Sequence, residues 1–178
     1  MNIFVKTCAV CEAKTPIGKK GLVVRPITSK DFNCRGQVDL IDLQSASDGR
    51  FKWLMNYQDH ATKFIFLRPL KSKRAAEVAM ELLKIFLEVG APRILQSDNG
   101  REFVAAVIED LVLLWPECKI VHGRPRHPES QGSVERANQD VENMLKAWMS
   151  DEKSTKWSVG CYFVQVRYFD KFLPQGMG

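Results

Sequence analysis

The sequence predicts one α/β domain in which helices flank a five-stranded mixed sheet. Three apolar segments of strand length come first and are joined by short turns, which indicates an antiparallel meander. Strand-like and helical patterns then alternate, which indicates parallel strands connected by helical crossovers. The chain has 178 residues and is 45% hydrophobic, so it is long enough to bury one core of ordinary size.

The predicted elements follow the chain in the order βββ-α-β-α-β-α-α. Strands are predicted at 37–43, 51–59, 63–69, 93–97 and 119–122. Helices are predicted at 73–89, at 101–115, from an N-cap at Ser133 onward, and at 157–169. The first two helices should end at Gly90 and at Pro116, since glycine favours helix C-termini and proline cannot continue a helix.

Charge and composition divide the chain into three parts. Residues 1–30 carry six basic residues and one acidic residue, while the rest of the chain has 20 of each. We therefore expect a basic, extended region at 1–30, the folded domain at 31–169 and a short tail at 170–178. A basic arm on a neutral body fits either a polyanionic partner or a solvated tail, and charge alone does not decide between them.

The cysteine pattern gives little support for a zinc site. Cys8 and Cys11 have the spacing of half a zinc site, but zinc requires four ligands and no histidine precedes them. The pair is therefore interpreted as a remnant, and bound zinc is not expected. The chain also shows no signal-peptide pattern and no apolar run long enough for a membrane helix. We expect a nuclear or cytoplasmic protein with reduced thiols, neither secreted nor embedded in a membrane.

Acidic residues stand where a metal site would need them. Asp39 and Asp42 lie within the first predicted strand, on opposite faces, and an unpaired acid in so apolar a strand would be costly. Asp98 follows the fourth strand, on a tight turn with Asn99 and Gly100. By itself, Asp98 is explained equally well as a turn residue that caps the next helix.

A third acid, Glu135, is predicted in the first turn of a helix whose other face is apolar. The apolar residues recur at helical spacing: Val134, Ala137, Val141, Met144, Leu145 and Trp148. Taken alone, Glu135 is more simply explained as an acid favoured by the helix dipole. Together with the other two carboxylates, however, it would suit Mg²⁺ or Mn²⁺, which prefer hard oxygen ligands.

Three motifs closely resemble the catalytic core of retroviral and retrotransposon integrases. They are Gln-Val-Asp at 37–39, Ser-Asp-Asn-Gly-Arg-Glu-Phe at 97–103, and His-Pro-Glu-Ser-Gln-Gly-Ser-Val-Glu-Arg-Ala-Asn at 127–138. The 36 residues between Asp98 and Glu135 also fit the spacing of that family's triad. The resemblance covers residues 31 to 169 and is strongest to integrase-derived genes carried in animal genomes.

The resemblance implies a ribonuclease-H-like fold and DNA integration, meaning 3′-end processing and strand transfer. It implies that Asp39, Asp98 and Glu135 are both the catalytic residues and the ligands of two Mg²⁺ or Mn²⁺ ions when DNA is bound. It implies that the partners are DNA and a second copy of the core. The residues expected to contact DNA are Asn138 and Gln131 at the DNA end, and Lys119, Arg124, Arg126 and Arg136 at phosphates.

Departures from the family leave an alternative open. The two zinc-binding histidines are absent, the family pattern is lost after Arg167, and Gln139 and Glu142 make the DNA-facing side of the helix less basic. An intact triad favours a polynucleotidyl transferase or endonuclease. The alternative is a non-catalytic DNA- or protein-binding module derived from an integrase. A ribonuclease H is a third possibility, which the His-Pro-x-Ser-x-Gly loop disfavours.

Overall fold

The structure is a computed structural model that describes residues 31–123 and 132–170, with side chains of the second range described from residue 135 onward. Three sets of predicted features lie outside the described residues: the basic region with Cys8 and Cys11, the loop residues Arg124, Arg126 and Gln131, and the tail beyond residue 170. No helix within the described ranges is long and apolar enough to cross a membrane.

A five-stranded mixed sheet forms the centre of the molecule, in the order β3-β2-β1-β4-β5. The strands are β1 (Arg35–Asp42), β2 (Trp53–Asp59), β3 (Ile65–Leu70), β4 (Ile94–Ser97) and β5 (Lys119–His122). β2 runs antiparallel to both β1 and β3, whereas β4 runs parallel to β1 and to β5. The predicted sheet, antiparallel first and then parallel, is therefore confirmed.

Four α-helices cover the two faces of the sheet. They are α1 (Ala75–Val89), α2 (Ala106–Leu113), α3 (Gly132–Asp151) and α4 (Trp157–Asp170), with a short 3-10 turn at Gln44–Ala46. α1 and α2 cover one face, where their apolar residues pack with Val38, Met55, Tyr57 and Phe66 of the strands. α3 and α4 cover the other face, where they pack with Ile41, Leu54, Ile65 and Leu67.

The second predicted helix begins later than its apolar pattern indicated. It was predicted from Arg101, but α2 begins at Ala106. The intervening residues form turns, in which the N–H of Phe103 donates to the carbonyl of Gly100 at 2.9 Å. Phe103 is nevertheless buried in the core, so its burial produced a helix-like pattern in a segment that the turn after Asp98 keeps out of the helix.

The start of the helix that carries Glu135 also differs slightly from the prediction. Ser133 was predicted as its N-cap, but α3 already begins at Gly132, so Ser133 lies inside the helix. A shift of this size is small for a helix terminus. Glu135 remains within the first turn of α3, so its predicted location at the start of a helix is unaffected.

Candidate metal and nucleic-acid site

Asp39 lies in the middle of β1, on the face covered by α3, and its side chain is half-buried. One carboxylate oxygen, Oδ1, accepts a hydrogen bond from the backbone N–H of Leu40 at 2.9 Å. The other, Oδ2, accepts one from Nδ2 of Asn138 at 2.8 Å. Asp42, by contrast, is exposed and accepts the backbone N–H of Gln44. Of the two acids in this strand, only Asp39 contacts α3.

Asn138 connects Asp39 to a second buried amide, Asn56 of β2. Because an ionised carboxylate only accepts hydrogen bonds, Asn138 must present its Nδ2 to Asp39. Its Oδ1 then accepts a hydrogen bond from Nδ2 of Asn56 at 2.8 Å. Asn56 is completely buried, at 0% exposure, and lies directly opposite Asp39 in the pairing of β1 with β2.

Asp98 follows β4 on a tight turn in which Gly100 lies close to two acidic side chains. Its Oδ1 accepts the backbone N–H of Gly100 at 2.9 Å. A Cβ added to Gly100 would lie 2.9 Å from that same oxygen and 2.8 Å from the carboxyl carbon of Glu102. Both separations are shorter than real Cβ contacts. The Asp98-Asn99-Gly100 sequence therefore fixes a tight turn at the carboxyl end of β4.

The backbone at Asp98 is also tied to the neighbouring strand. Ser97 Oγ donates to the carbonyl oxygen of Asp98 at 2.9 Å and lies 3.0 Å from Nδ1 of His122. Since the single hydroxyl hydrogen is used on the carbonyl, Nδ1 of His122 must be the donor to Ser97. The N–H of Gly123 further donates to the carbonyl of Ser97 at 2.7 Å. These bonds hold the ends of β4 and β5 together beside Asp98.

Glu135 lies in the first turn of α3 and is exposed. The opposite side of the helix is anchored in the core, as its apolar periodicity predicted. The fully buried members of that stripe are Ala137, Val141, Leu145 and Trp148. Glu135 is thus an exposed carboxylate on a helix whose orientation is fixed by packing.

The pKa of Asp39 depends on its burial and on the charges of Asp98 and Glu135. Burial raises the pKa of Asp39 above its ordinary value, and the negative charges of Asp98 and Glu135 raise it further. The hydrogen bonds from Leu40 and Asn138 stabilise the carboxylate and lower its pKa, without offsetting burial. A bound cation would remove the repulsion, because it favours the ionised form of each neighbouring acid.

The residues fit a hard divalent cation in chemistry and charge, but they do not form a closed ligand set. Carboxylate oxygens are the ligands that Mg²⁺ and Mn²⁺ prefer. Yet across residues 31–123 and 135–170, no three His, Cys, Asp or Glu side chains are grouped closely enough to hold a metal ion. Binding of a metal would therefore require the carboxylates to move towards one another.

A cleft with several basic side chains adjoins Asp98. Its lining comes from the start of α1 and from the turn after β4: Lys73, Arg74, Ala75, Asp98, Asn99, Gly100, Arg101 and Glu102. The ammonium of Lys73 lies 5.1 Å from the centre of the Trp53 ring, a cation–π contact that restrains it. Three cations thus face two carboxylates around an open groove.

The other residues predicted to contact DNA are distributed unevenly. Arg136 is exposed beside Glu135. Lys119 is exposed but begins β5 and pairs with Ile94, so it lies at the opposite end of the strand from His122. Asn138 is half-buried and engaged by Asp39 and Asn56. Direct contact of these residues with DNA stays a prediction.

Sequence reasoning did not identify Asn56, Lys73 or Arg74. A signal for Asn56 was present, since it interrupts the apolar segment Trp-Leu-Met-Asn-Tyr at 53–57 in the way that Asp39 interrupts β1. Lys73 and Arg74 had no such signal, because basic residues before a helix are common on protein surfaces. Only the fold places them beside Asp98.

Sequence comparisons relate the chain to a human protein and to retroviral polyproteins. No protein-family model matches it. It is 44% identical over 176 residues to the human KRAB-A domain-containing protein 2, a match that covers 97% of this chain and 36% of that protein. It is 30% identical to the Gag-Pol polyprotein of feline leukemia virus, over 79% of this chain and 8% of the polyprotein. The chain therefore spans about a third of the length of the human protein and about a tenth of the length of the viral polyproteins.

Two solved structures share the fold. The catalytic core domain of HTLV-2 integrase, solved in complex with magnesium in a trimeric form, superposes with a TM-score of 0.63 at 18% identity and covers 79% of this chain. A chain of the simian T-cell lymphotropic virus intasome superposes with a TM-score of 0.69 at 19% identity and covers 87%. The matches cover 86% and 56% of those two chains.

Proposed function

Because the chain is an integrase-derived domain with the catalytic-core fold of retroviral integrases, we propose that it is the catalytic core of a DNA polynucleotidyl transferase. The observation that carries this proposal is Asp39, a half-buried carboxylate that Asn138 orients and that feels the charges of Asp98 and Glu135. Burial first, and these charges in addition, raise the pKa of Asp39, and a carboxyl whose pKa is perturbed by burial and by specific charged neighbours is a candidate functional group.

In this proposal Asp39, Asp98 and Glu135 hold two Mg²⁺ or Mn²⁺ ions at the phosphodiester. Ions bound there supply Lewis acidity for an in-line displacement in which water or a DNA 3′-hydroxyl is the nucleophile. The rigid parts of the site are Asp39 and the turn at Asp98, which hydrogen bonds restrain. Glu135 is exposed, and within residues 31–123 and 135–170 no hydrogen bond to its carboxylate is found, so it would complete the site when DNA and metal bind.

The direct test is cleavage of a labelled DNA duplex in the presence of Mn²⁺. The wild type should nick or trim the duplex, and Asp98→Asn should abolish the reaction without unfolding the chain. Asp42→Asn is the matched control, because Asp42 lies in the same strand as Asp39 but is exposed and bonds only to Gln44. Cleavage that survives Asp98→Asn, or that Asp42→Asn removes equally, would refute the proposed site.

DNA is the substrate class that the charges favour. The cleft beside Asp98 carries Lys73, Arg74 and Arg101, and none of these makes an ion pair with another described residue. Unpaired cations beside a metal-binding carboxylate suit a phosphate backbone, since the cations neutralise phosphates next to the one that reacts. Such contacts release counterions and therefore depend strongly on salt.

Salt-dependent binding tests this part of the proposal separately from catalysis. The double change Lys73→Glu and Arg74→Glu should weaken DNA binding and reduce the slope of log affinity against log salt by about 2. The control is Lys84→Glu with Arg93→Glu, which alters the net charge equally but affects residues outside the cleft. An equal loss in both double variants would mean that total charge, rather than this cleft, binds DNA.

A non-catalytic module is the second candidate. The observation in its favour is that the 44% identical human relative is much longer than this chain and carries the matching region as 36% of its length. In such a protein the domain would bind DNA or another protein without cleaving DNA. DNA binding that is unchanged by Asp98→Asn, with no cleavage by the wild type, would support this candidate over the enzyme.

The homodimer stays a prediction. α1 and α4 each present large apolar side chains to solvent, among them Leu87, Phe163 and Val166, and the HTLV-2 core domain was solved in a trimeric form. We propose that a second copy of the core covers these side chains. Light scattering should give a mass above that of the monomer for the wild type and the monomer mass for Phe163→Asp.

A further inference from the structure

We propose that Asn56 is a positioning residue for the carboxylate of Asp39 and that it acts through Asn138. This inference rests on the proposed function, in which Asp39 is a metal ligand. Among the described residues no hydrogen bond joins the side chain of Asn56 to that of Asp39 or to the cleft, although Asn56 and Asp39 are paired across β1 and β2. Nδ2 of Asn56 donates instead to Oδ1 of Asn138 at 2.8 Å, and Nδ2 of Asn138 donates to Asp39 at 2.8 Å.

The direction of these two bonds is fixed by chemistry. Asp39 is an acceptor, so Asn138 must offer it the NH₂ end of its amide, which leaves the carbonyl end facing β2. Only a donor at position 56 satisfies that carbonyl. Asn56 supplies the donor and so favours the one amide orientation of Asn138 that binds Asp39. Metal ligands are commonly oriented by such outer partners.

The burial of Asn56 argues against a purely stabilising role. Its side chain is 0% exposed, and its Oδ1 has no hydrogen-bond partner among residues 31–123 and 135–170. An apolar residue of the same shape would avoid this unsatisfied oxygen but would leave Oδ1 of Asn138 without its donor, and only replacing both partners of a buried hydrogen bond is often neutral. The neighbours Leu54, Met55 and Tyr57 are equally buried and leave no need for a polar side chain in the core.

Asn138 depends on this partner because it is only half-buried. Without the donor from Asn56, its amide would rotate towards water or present its carbonyl oxygen to Asp39, which repels it. The carboxylate of Asp39 would then keep the N–H of Leu40 as its one remaining donor. A ligand oxygen that is free to rotate binds a cation less tightly, since part of the binding free energy must restrain it.

The test compares Asn56→Leu with Gln58→Leu. Gln58 is a matched control because it lies two residues along the same strand, faces the same side and is equally buried, but its hydrogen bond goes to Tyr168. In calorimetry, Asn56→Leu should bind Mn²⁺ about tenfold more weakly than wild type, whatever its effect on the unfolding temperature. Gln58→Leu should bind Mn²⁺ as wild type does, whatever its stability.

A double-mutant cycle separates the hydrogen-bonded relay from Asn56 through Asn138 to Asp39 from a general weakening of the core. Asn138→Leu should lower Mn²⁺ affinity at least as much as Asn56→Leu, and the double variant should be no worse than Asn138→Leu alone, because the relay is already broken. Additive losses would overturn the proposal. So would an Asn56→Leu variant that loses stability while its Mn²⁺ affinity equals that of wild type.

A metal-free readout keeps this inference distinguishable from the proposed function. The side-chain NH₂ resonances of Asn138, observed by ¹⁵N NMR, should move in Asn56→Leu and in Asp39→Asn but stay in place in Gln58→Leu. If the wild type binds no Mn²⁺ while these shifts appear, the proposed function fails and the relay stands. If the Asn138 resonances do not shift in Asn56→Leu, the proposed role of Asn56 is refuted even where the protein binds Mn²⁺.

Discussion

The two faces of the sheet differ in what they bury. The face under α1 and α2 is mostly apolar, with Val38, Tyr57 and Phe86 at its centre and the buried Asp59 at the end of β2. The face under α3 and α4 is apolar only in part, at Ile41 and Leu54 for example. Elsewhere it buries a block of polar side chains paired across β1 and β2: Gln37 with Gln58, and Asp39 with Asn56.

This difference shows where the fold buries polar side chains, at a cost in stability, beside the candidate site. Burying an amide or a carboxylate is unfavourable unless it is hydrogen-bonded. On the polar face the helices supply Asn138 of α3 for Asp39 and Asn56 and Tyr168 of α4 for Gln58, while Gln37 bonds to His60 after β2. Apolar clusters on both faces contribute to stability, but the face under α3 and α4 also holds the carboxylate that the proposed function uses.

Truncating the apolar face should have the largest effect on stability. Phe86 is 2% exposed and packs edge-on against Tyr57 and Trp115. Phe86→Ala should lower the free energy of unfolding by about 4 kcal/mol, through lost burial and a cavity. Its neighbour Leu87, which is 72% exposed, gives the control, since Leu87→Ala should change stability by less than about 0.5 kcal/mol. Urea unfolding of both variants measures the contrast.

Equal effects of these two substitutions would contradict the assignment of the core to this face. A large loss for Leu87→Ala together with a change in oligomeric mass would have a different meaning. It would show that Leu87 is buried by a second copy of the chain, and it would support the proposed dimer.

The next largest effect on stability is expected at Gly36, where the side chain of Tyr57 leaves no room for a Cβ. A Cβ on Gly36 would lie 2.1 Å from the hydroxyl oxygen of Tyr57, whose side chain is buried. Gly36→Ala should therefore cost about 3 kcal/mol by overpacking. Gly49→Ala, at a turn with φ of 57° and open space around it, should cost about 1 kcal/mol from backbone conformation alone. If thermal unfolding shows that Gly49→Ala costs more stability than Gly36→Ala, the packing around Tyr57 differs from that described.

The smallest effect concerns Asp39 and depends on pH. Because its folded pKa is raised, the native state holds the proton more tightly than the unfolded chain does. The stability due to this carboxyl is complete below its ordinary pKa of 3.8 and is lost as pH rises through the raised value. In metal-free buffer, Asp39→Asn should therefore become more stable relative to wild type as pH increases from acid to neutral.

Adding Mg²⁺ at neutral pH should reverse this comparison, because the metal stabilises only the wild type. A wild type whose stability relative to Asp39→Asn does not change with pH would mean that Asp39 is better solvated than its position in the structure indicates.

Local patterns predicted most of the fold. The strand at 119–122 was predicted to the residue, and the predicted order of elements is the observed one. The turn at Asp98-Asn99-Gly100 followed from its residue types. The late start of α2 was missed because burial of Phe103 looks the same in a turn as in a helix.

The site was less predictable because its contacts are not local. Asn56 and Asp39 meet Asn138 across 82 and 99 residues of sequence. A single sequence gives no sign of which buried amide will face which helix residue. The same holds for Lys73 and Arg74, whose position beside Asp98 depends on how α1 packs on the sheet. The three carboxylates and Asn138 were named in advance, from the motifs that resemble integrases, but Asn138 was named as a DNA contact rather than as the partner of Asp39.

The most direct test of the account is Mn²⁺ binding by calorimetry on the wild type and on Asp39→Asn, Asp98→Asn and Glu135→Gln. If the three carboxylates form one metal site, the wild type binds and each substitution abolishes binding at millimolar Mn²⁺. Repeating the titration with a DNA duplex tests whether substrate phosphates complete the site. Binding that survives all three substitutions would contradict the account, because the metal would then be held by other residues.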